Sequence, residues 1–157
     1  MKYNIRPLKP TEYNILDIFL YEAIFIPDGV QPPPRDIIKL PELQVYVEDF
    51  GSRRGDICLA AEVNGKIVGA VWTRIMNDYG HIDDDTPSLA MSLIKEYRGL
   101  GIGTALLSQM LDELTANGFK SVSLSVQKTN YAYRLYKKLG FTVVRETEEE
   151  YIMLRKL

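Results

Sequence analysis

Apolar residues in this chain change their spacing several times, and each spacing predicts a different element. Residues 2–6 alternate like a short strand, which Pro7 ends. Ile15, Leu16, Phe19, Leu20, Ala23 and Ile24 then follow at helical spacing. Thr11 is the expected cap of that helix, with Asn14 where a capping box would have an acid. Pro27-Asp28-Gly29 stops it, and Pro32-Pro33-Pro34 stiffens the loop beyond. A second helix is expected over residues 36–48, split by Pro41. Residues 57–63 and 67–75 are apolar and β-branched, and Asn64-Gly65 between them signals a tight hairpin. Residues 88–94 predict a third central strand. Ile102, Leu106, Leu107, Met110, Leu111 and Leu114 form one helical stripe, closed by Asn117-Gly118. In residues 121–126, Val122, Leu124 and Val126 alternate with serines. A short helix over 130–139 stops at Gly140, and strands are expected over 141–145 and 151–154. The order β-α-α-β-β-β-α-β-α-β-β predicts an α/β (α+β) fold, a mixed sheet with helices on both faces.

Composition narrows the classes. A chain of 157 residues is the size of one domain, so residues 1–157 are expected to form a single domain. The apolar runs are too short to span a membrane, and the N-terminal residues lack a signal-peptide apolar core. The single Cys58 excludes an internal disulfide framework, so a cytoplasmic protein is expected. The net charge is −2 and the densest charge runs are acidic, which argues against nucleic acid as a partner. One histidine and one cysteine cannot build a His/Cys zinc site, and no metal is expected.

The chemistry concentrates in Arg98-Gly99-Leu100-Gly101-Ile102-Gly103-Thr104, where a strand turns directly into a helix. Glycines let the backbone bend and let a ligand approach it. Unpaired N–H groups in the first helical turn, with the positive end of the helix dipole, form an anion site suited to phosphate. No lysine follows Gly103, so the turn is not a P-loop. The spacing GxGxG, with no acid at the end of the next strand, disfavours a dinucleotide enzyme. A tight turn with no ligand remains the other reading of the glycines taken alone.

Two motifs together carry a resemblance. Arg98-x-x-Gly101-x-Gly103 resembles the signature of the GNAT superfamily of N-acetyltransferases. Ala132-Tyr133-Arg134-Leu135-Tyr136-Lys137-Lys138-Leu139-Gly140-Phe141 resembles that family's second hallmark. The element order is similar over nearly the whole chain. This resemblance implies an N-acetyltransferase that moves the acetyl group of acetyl-CoA to a primary amine by direct attack in a ternary complex. The main-chain N–H groups of residues Arg98, Gly99, Leu100, Gly101, Ile102, Gly103 and Thr104 would bind the pyrophosphate. A bulge in the preceding strand would open a wedge for the pantetheine arm, with Leu93 and Ile94 in contact with it. A backbone N–H near Leu93 would polarise the thioester carbonyl.

The resemblance also implies that Tyr136 donates a proton to the departing thiolate; its place on an apolar stripe equally fits a core residue. Many members have asparagine where this chain has Thr129. Asn130, one residue later, either reaches the pantetheine or only caps the helix. The acceptor amine must lose a proton, to a base directly or through water. Glu96 is the carboxylate nearest the turn in sequence; Asp83, Asp84, Asp85, Glu62 and His81 are further candidates, and the sequence does not choose among them. The acceptor, a small-molecule or peptide amine, would sit against the first two helices and their loop, where Tyr21, Phe25, Tyr46, Trp72 and Asp84 are candidate neighbours. The alternative is a non-catalytic acyl-CoA-binding module, a sensor or assembly subunit of the same fold. Exposed C-terminal edge strands suggest a homodimer.

Overall fold

The computed structural model describes residues 2–78 and 80–157. Seven strands form one mixed sheet in the order β1-β2-β3-β4-β5-β7-β6. They are β1 (Asn4–Pro7), β2 (Ile57–Val63), β3 (Lys66–Arg74), β4 (Ser88–Leu93), β5 (Ser121–Gln127), β6 (Thr142–Glu146) and β7 (Glu150–Lys156). The helices are α1 (Leu16–Glu22), α2 (Pro41–Gln44), α3 (Ile102–Ala116) and α4 (Ala132–Lys138). The order along the chain is the one the hydrophobic pattern predicts. Asn64 and Gly65 have φ of 50° and 79°, as a primed hairpin turn requires.

Two core layers sandwich the sheet. On one face, Leu106, Leu107, Met110 and Leu114 of α3 pack on Leu59, Val71, Val122 and Leu124. On the other, Leu16, Phe19 and Leu20 of α1 pack on Cys58, Ala60, Ala70 and Trp72. The two sets alternate along β2 and β3 because successive strand side chains point to opposite faces. Arg74 is completely buried at the end of β3. It forms an ion pair with Asp56 at 2.8 Å and donates to the carbonyls of Val45 and Glu48. Every donor on such a group needs an acceptor, so this cluster ties the segment after α2 to the sheet.

The first two helices are shorter than their apolar spacing predicts. Residues Pro10–Ile15 form a 3-10 turn before α1. Its start is capped by the Glu12 carboxylate, which accepts from the Lys9 N–H at 2.9 Å; Thr11 lies inside the turn and makes no cap. Pro41 divides the second segment as expected. Leu40 before it is extended, with ψ of 138°, because proline crowds a helical predecessor. A 3-10 turn (Arg35–Lys39) stands on one side of the break and α2 on the other.

The sheet changes character at its centre. β4 and β5 run parallel and pair only at Ser88 with Ser123. Beyond that point β4 stays on β3 and β5 on β7. The two C-terminal ends therefore separate, and a wedge opens between them. The expected bulge in β4 is absent: its register on β3 runs unbroken from Arg74–Ser88 to Gly69–Leu93. The splay comes from β5 leaving with β7, not from an extra residue in β4.

Candidate active site

Strand geometry decides which groups face the wedge. N–H and C=O of one residue point to the same side, and successive residues alternate. The Ile94 N–H donates to Val68 O at 2.9 Å, so Ile94 faces β3. Pro87 O accepts from the Ser123 N–H at 3.0 Å, so residue 87 faces β5. Residues of the same parity, Leu89, Met91 and Leu93, therefore turn their backbone edges toward the wedge. Leu93 O accepts from Arg98 Nε at 2.9 Å, which leaves the Leu93 N–H as a donor there. The Met91 N–H lies deeper, nearer the apex. Ile94, expected to flank the arm, has its N–H spent on β3. Met91 escaped the sequence reading because edge polarity depends on pairing partners.

The glycine-rich turn sits at the wedge mouth. Gly99 and Gly101 have φ of 73° and 85°, a region that side chains with a Cβ avoid. A Cβ at either would meet nothing within 4 Å, so the turn presents bare backbone to open space. Leu100 points outward, half exposed, while Ile102 is buried. The first bond of α3 runs from the Ala105 N–H to Gly101 O at 3.2 Å. Among the described residues no acceptor takes the N–H groups of Gly99, Gly101, Ile102, Gly103 or Thr104, while a turn over Arg98 and Gly99 involves the Leu100 N–H. The Arg98 N–H differs: it donates to Lys95 O at 3.2 Å, so the expected set of donors loses its first member. The Arg98 side chain, half exposed, pairs with the Glu22 carboxylate at 3.2 Å. It joins α1 to the end of β4 instead of standing as an unpaired charge at the rim.

α4 forms the other wall. Leu135 Cδ2 lies 3.8 Å from where a Cβ at Gly103 would be, so a glycine there brings α3 and α4 together. Tyr136 is 8% exposed, its ring edge-on to Phe141 at 5.8 Å. Its hydroxyl meets no acceptor among the described residues. Burial pushes its pKa up to about 12, and it stays protonated at any physiological pH. Asn130 Oδ1 accepts from the Ala132 N–H at 2.9 Å: the side chain caps α4 through its oxygen, leaving its amide N–H groups for another partner.

The remaining candidates disperse. Trp72 is 1% exposed and its indole N–H donates to Tyr46 O; a side chain sealed in the α1-side core does not line an open pocket. Tyr21 is half-buried, donates to Pro33 O at 2.5 Å and lies under Arg35, so it braces the proline loop against α1. Phe25 is half-buried just beyond α1. Glu62 shares Arg6 with Glu12, which holds it in an ion pair. Glu96 is exposed in the short 3-10 turn Lys95–Tyr97, with no ion-pair partner among the described residues.

The loop before β4 lies over β5. Gly80 packs on the Leu124–Ser125 backbone, Ser123 Oγ donates to Gly80 O, and Arg145 of β6 reaches His81 O. It thus runs outward from β5 toward β6, away from the wedge, and Asp84 at its tip is 96% exposed. Asp84 and His81 are not brought to the end of β4 that carries Leu93. The loop also buries Ser123 on the serine face of β5. Among the described residues no His, Cys, Asp and Glu cluster could hold a metal ion, and no helix is long and apolar enough to cross a membrane.

A parallel strand pair thus splays beside a turn of bare backbone, with α4 and its buried Tyr136 on the other side of that turn. Residues 23–141 match the model of the acetyltransferase (GNAT) family. The chain belongs to that family, and by family it is an N-acetyltransferase. An N-alpha-acetyltransferase of Sulfurisphaera tokodaii is 33% identical over 113 residues, 62% of this chain and 67% of that protein. The chain spans from 36% to 70% of the length of six curated relatives it matches. PaiA N-acetyltransferase from Thermoplasma acidophilum, solved in complex with coenzyme A, shares the fold with a TM-score of 0.73 at 20% identity, each chain fully covered. YncA, an acetyltransferase from Salmonella typhimurium solved with its cofactor acetyl-CoA, has a TM-score of 0.70 at 19% identity, covering 100% of this chain and 95% of its own.

Proposed function

We propose that this chain, as one domain over residues 1–157, transfers the acetyl group of acetyl-CoA to a primary amine by direct attack in a ternary complex. The observation that carries the reading is the wedge with its cradle: unpaired backbone N–H groups of Gly99 and residues 101–104 at the mouth and free strand-edge donors inside. Acetyl-CoA supplies an activated thioester. The N–H groups of Gly99 and residues 101–104 hold its pyrophosphate. Leu93 and Met91 pair with the arm along β4, Ile94 adds side-chain contact only, and Asn130 offers its free amide. The arm starts at the cradle and passes Leu93 first, so the Met91 N–H is the donor placed to polarise the thioester carbonyl.

The amine nitrogen attacks that carbonyl carbon, and collapse of the intermediate breaks the C–S bond. Tyr136 gives its hydroxyl proton to the departing thiolate. With its pKa near 12, above about 8.5 for a thiol, the transfer is uphill and works as a hydrogen bond that strengthens while the thiolate forms. The attacking nitrogen loses a proton to water, and Glu96 is the proposed carboxylate beyond that water. Tyr21 and Phe25 with the proline loop wall the acceptor side, where a small-molecule or peptide amine would bind. A second copy of the chain is proposed along β6, which is exposed at all five residues, including Val143 and Val144.

Thiol release from acetyl-CoA across a panel of amines tests the reaction. Turnover with at least one amine is expected, and loss of the acetyl-CoA thermal shift should accompany a blocked cradle. Coenzyme A binding with no turnover on any amine would instead support the non-catalytic module. Sedimentation of the purified protein checks the dimer, and a monomer at micromolar concentration would refute it.

A further inference from the structure

β7 begins at a carboxylate that the reaction does not use. Glu150 stands opposite Gln127, the last residue of β5. Its neighbours on β7 fix its direction. Tyr151 stacks on Tyr133 of α4 with ring centres 4.7 Å apart, and Met153 lies in the core beneath α3. Successive strand side chains alternate, so Glu150 points to the opposite face, the α1 side of the sheet. On that face the loop through Gly80 covers β5 as far as the backbone of Ser125, and Arg145 is drawn to His81 O. Beyond the loop stand Gln127 and Glu150, both half-buried. Lys128, next to Gln127, serves the other face: it pairs with Glu146 at 2.7 Å and lies over the Tyr151 ring. Among the described residues no cation pairs with Glu150. Burial, and then the neighbouring Glu149, push its pKa up. A carboxylate half out of water without a counter-charge is costly, and a cationic ligand would relieve that cost.

The register relates Glu150 to the wedge. Ser88 pairs with Ser123 in parallel, so equal steps along the two strands bring Met91 level with Val126. The proposed thioester position beside the Met91 N–H is therefore within one residue of the level of Gln127 and Glu150. The arm would lie between β4 and β5, and β7 is the next strand beyond β5. About two strand spacings, roughly 10 Å, separate it from the Glu150 backbone, and the side chain shortens that gap. α3 and α4 cover the other face, so an acceptor approaches from the face that carries Glu150.

We propose that Glu150 binds a second positive charge on the acceptor, so that the preferred substrate is a primary amine with another cationic group roughly 6–10 Å from the attacking nitrogen. Resting on the acetyl-transfer reading above, this names the acceptor class that reading leaves open. A diamine or polyamine has this chemistry, and so does a peptide N-terminus followed by lysine or arginine. Glu150 stays ionised and takes no part in making or breaking bonds.

Thiol release from acetyl-CoA with matched acceptors tests this. 1,4-Diaminobutane and 1,6-diaminohexane are set against butylamine and hexylamine, and a Ser-Lys dipeptide amide against Ser-Ala. At least one cationic acceptor should exceed its neutral-tailed match by about tenfold in kcat/KM, through KM, the scale of one charge-assisted hydrogen bond. The pair that shows the advantage separates diamines from peptides. Glu150→Gln should erase the advantage and leave the monoamines and the KM for acetyl-CoA unchanged, whereas Glu150→Asp should keep part of it. No advantage for any cationic acceptor in the wild type would overturn the assignment. So would an advantage that survives Glu150→Gln, or an equal loss for every acceptor in that variant, which is what a structural role predicts. Calorimetry of the same acceptors against protein saturated with coenzyme A needs no turnover. Binding that depends on Glu150, with no acetyl transfer to any amine, would sink the transfer reading and keep this one.

Discussion

The Tyr136 ring packs in the core, its hydroxyl carries the proposed proton transfer, and substitution can separate the two. Phenylalanine keeps the edge contact with Phe141 and removes the proton. Tyr136→Phe should therefore lower kcat by about a hundredfold, at the low end for a positioned proton donor, with Tm and coenzyme A affinity nearly unchanged. Steady-state kinetics beside a melting curve would show it, and unchanged turnover would make Tyr136 a packing residue only. Glu96→Gln offers a second residue-scale test. A fall in kcat/KM of about a hundredfold is expected, whereas an unchanged kcat/KM would assign proton removal to water or another group.

Among the elements, the turn between β4 and α3 depends on glycine for two separate reasons. Gly101 needs its positive φ, and it needs nothing in front of its backbone. Gly101→Val should abolish the acetyl-CoA thermal shift. The fold should lose only about 1–2 kcal/mol, the cost of a left-handed conformation for a residue with a Cβ. Retained binding would mean that the phosphates sit elsewhere. Gly69 acts differently, since a Cβ there would come within 2.3 Å of Leu93 Cδ2. That glycine lets Leu93 lie flat on β3, and its replacement by alanine would push on the strand whose edge donors are proposed to hold the arm.

For the molecule as a whole, buried ionisable groups set the pH range of stability. Burial raises Tyr136 from 10 and Cys58 from 9, each to about 12. A raised folded-state pKa stabilises fully below the unfolded value and is lost as pH climbs through the folded one. Stability measured by denaturant unfolding should thus decline between about pH 9 and 12. At the acid end the sign reverses. Hydrogen bonds from Arg6 lower Glu12 from 4.5 to about 2, so its contribution is present above 4.5 and fades as pH falls toward 2. Arg74 is the larger liability. Asp56→Ala would leave its guanidinium buried without a counter-charge, and a loss of about 3–5 kcal/mol is expected. Coenzyme A affinity of the remaining folded protein should not change.

By itself the sequence determined what depends on neighbours in the chain. The hairpin at Asn64-Gly65, the α3 stripe, the break at Pro41 and the glycine turn follow from backbone preference and periodicity, which are local. The two motifs around Gly101 and Tyr136 gave the family for the same reason, since each is contiguous. Only the tertiary structure decided what depends on partners distant in sequence. Val68 takes the Ile94 N–H and so leaves Leu93 and Met91 as wedge donors; Glu22 takes the Arg98 charge; Tyr46 takes the Trp72 indole. The loop through Gly80 carries Asp84 outward and covers Ser123 of β5. Each outcome is a competition for one donor, acceptor or face, and the winner is set by which segments the sheet brings side by side.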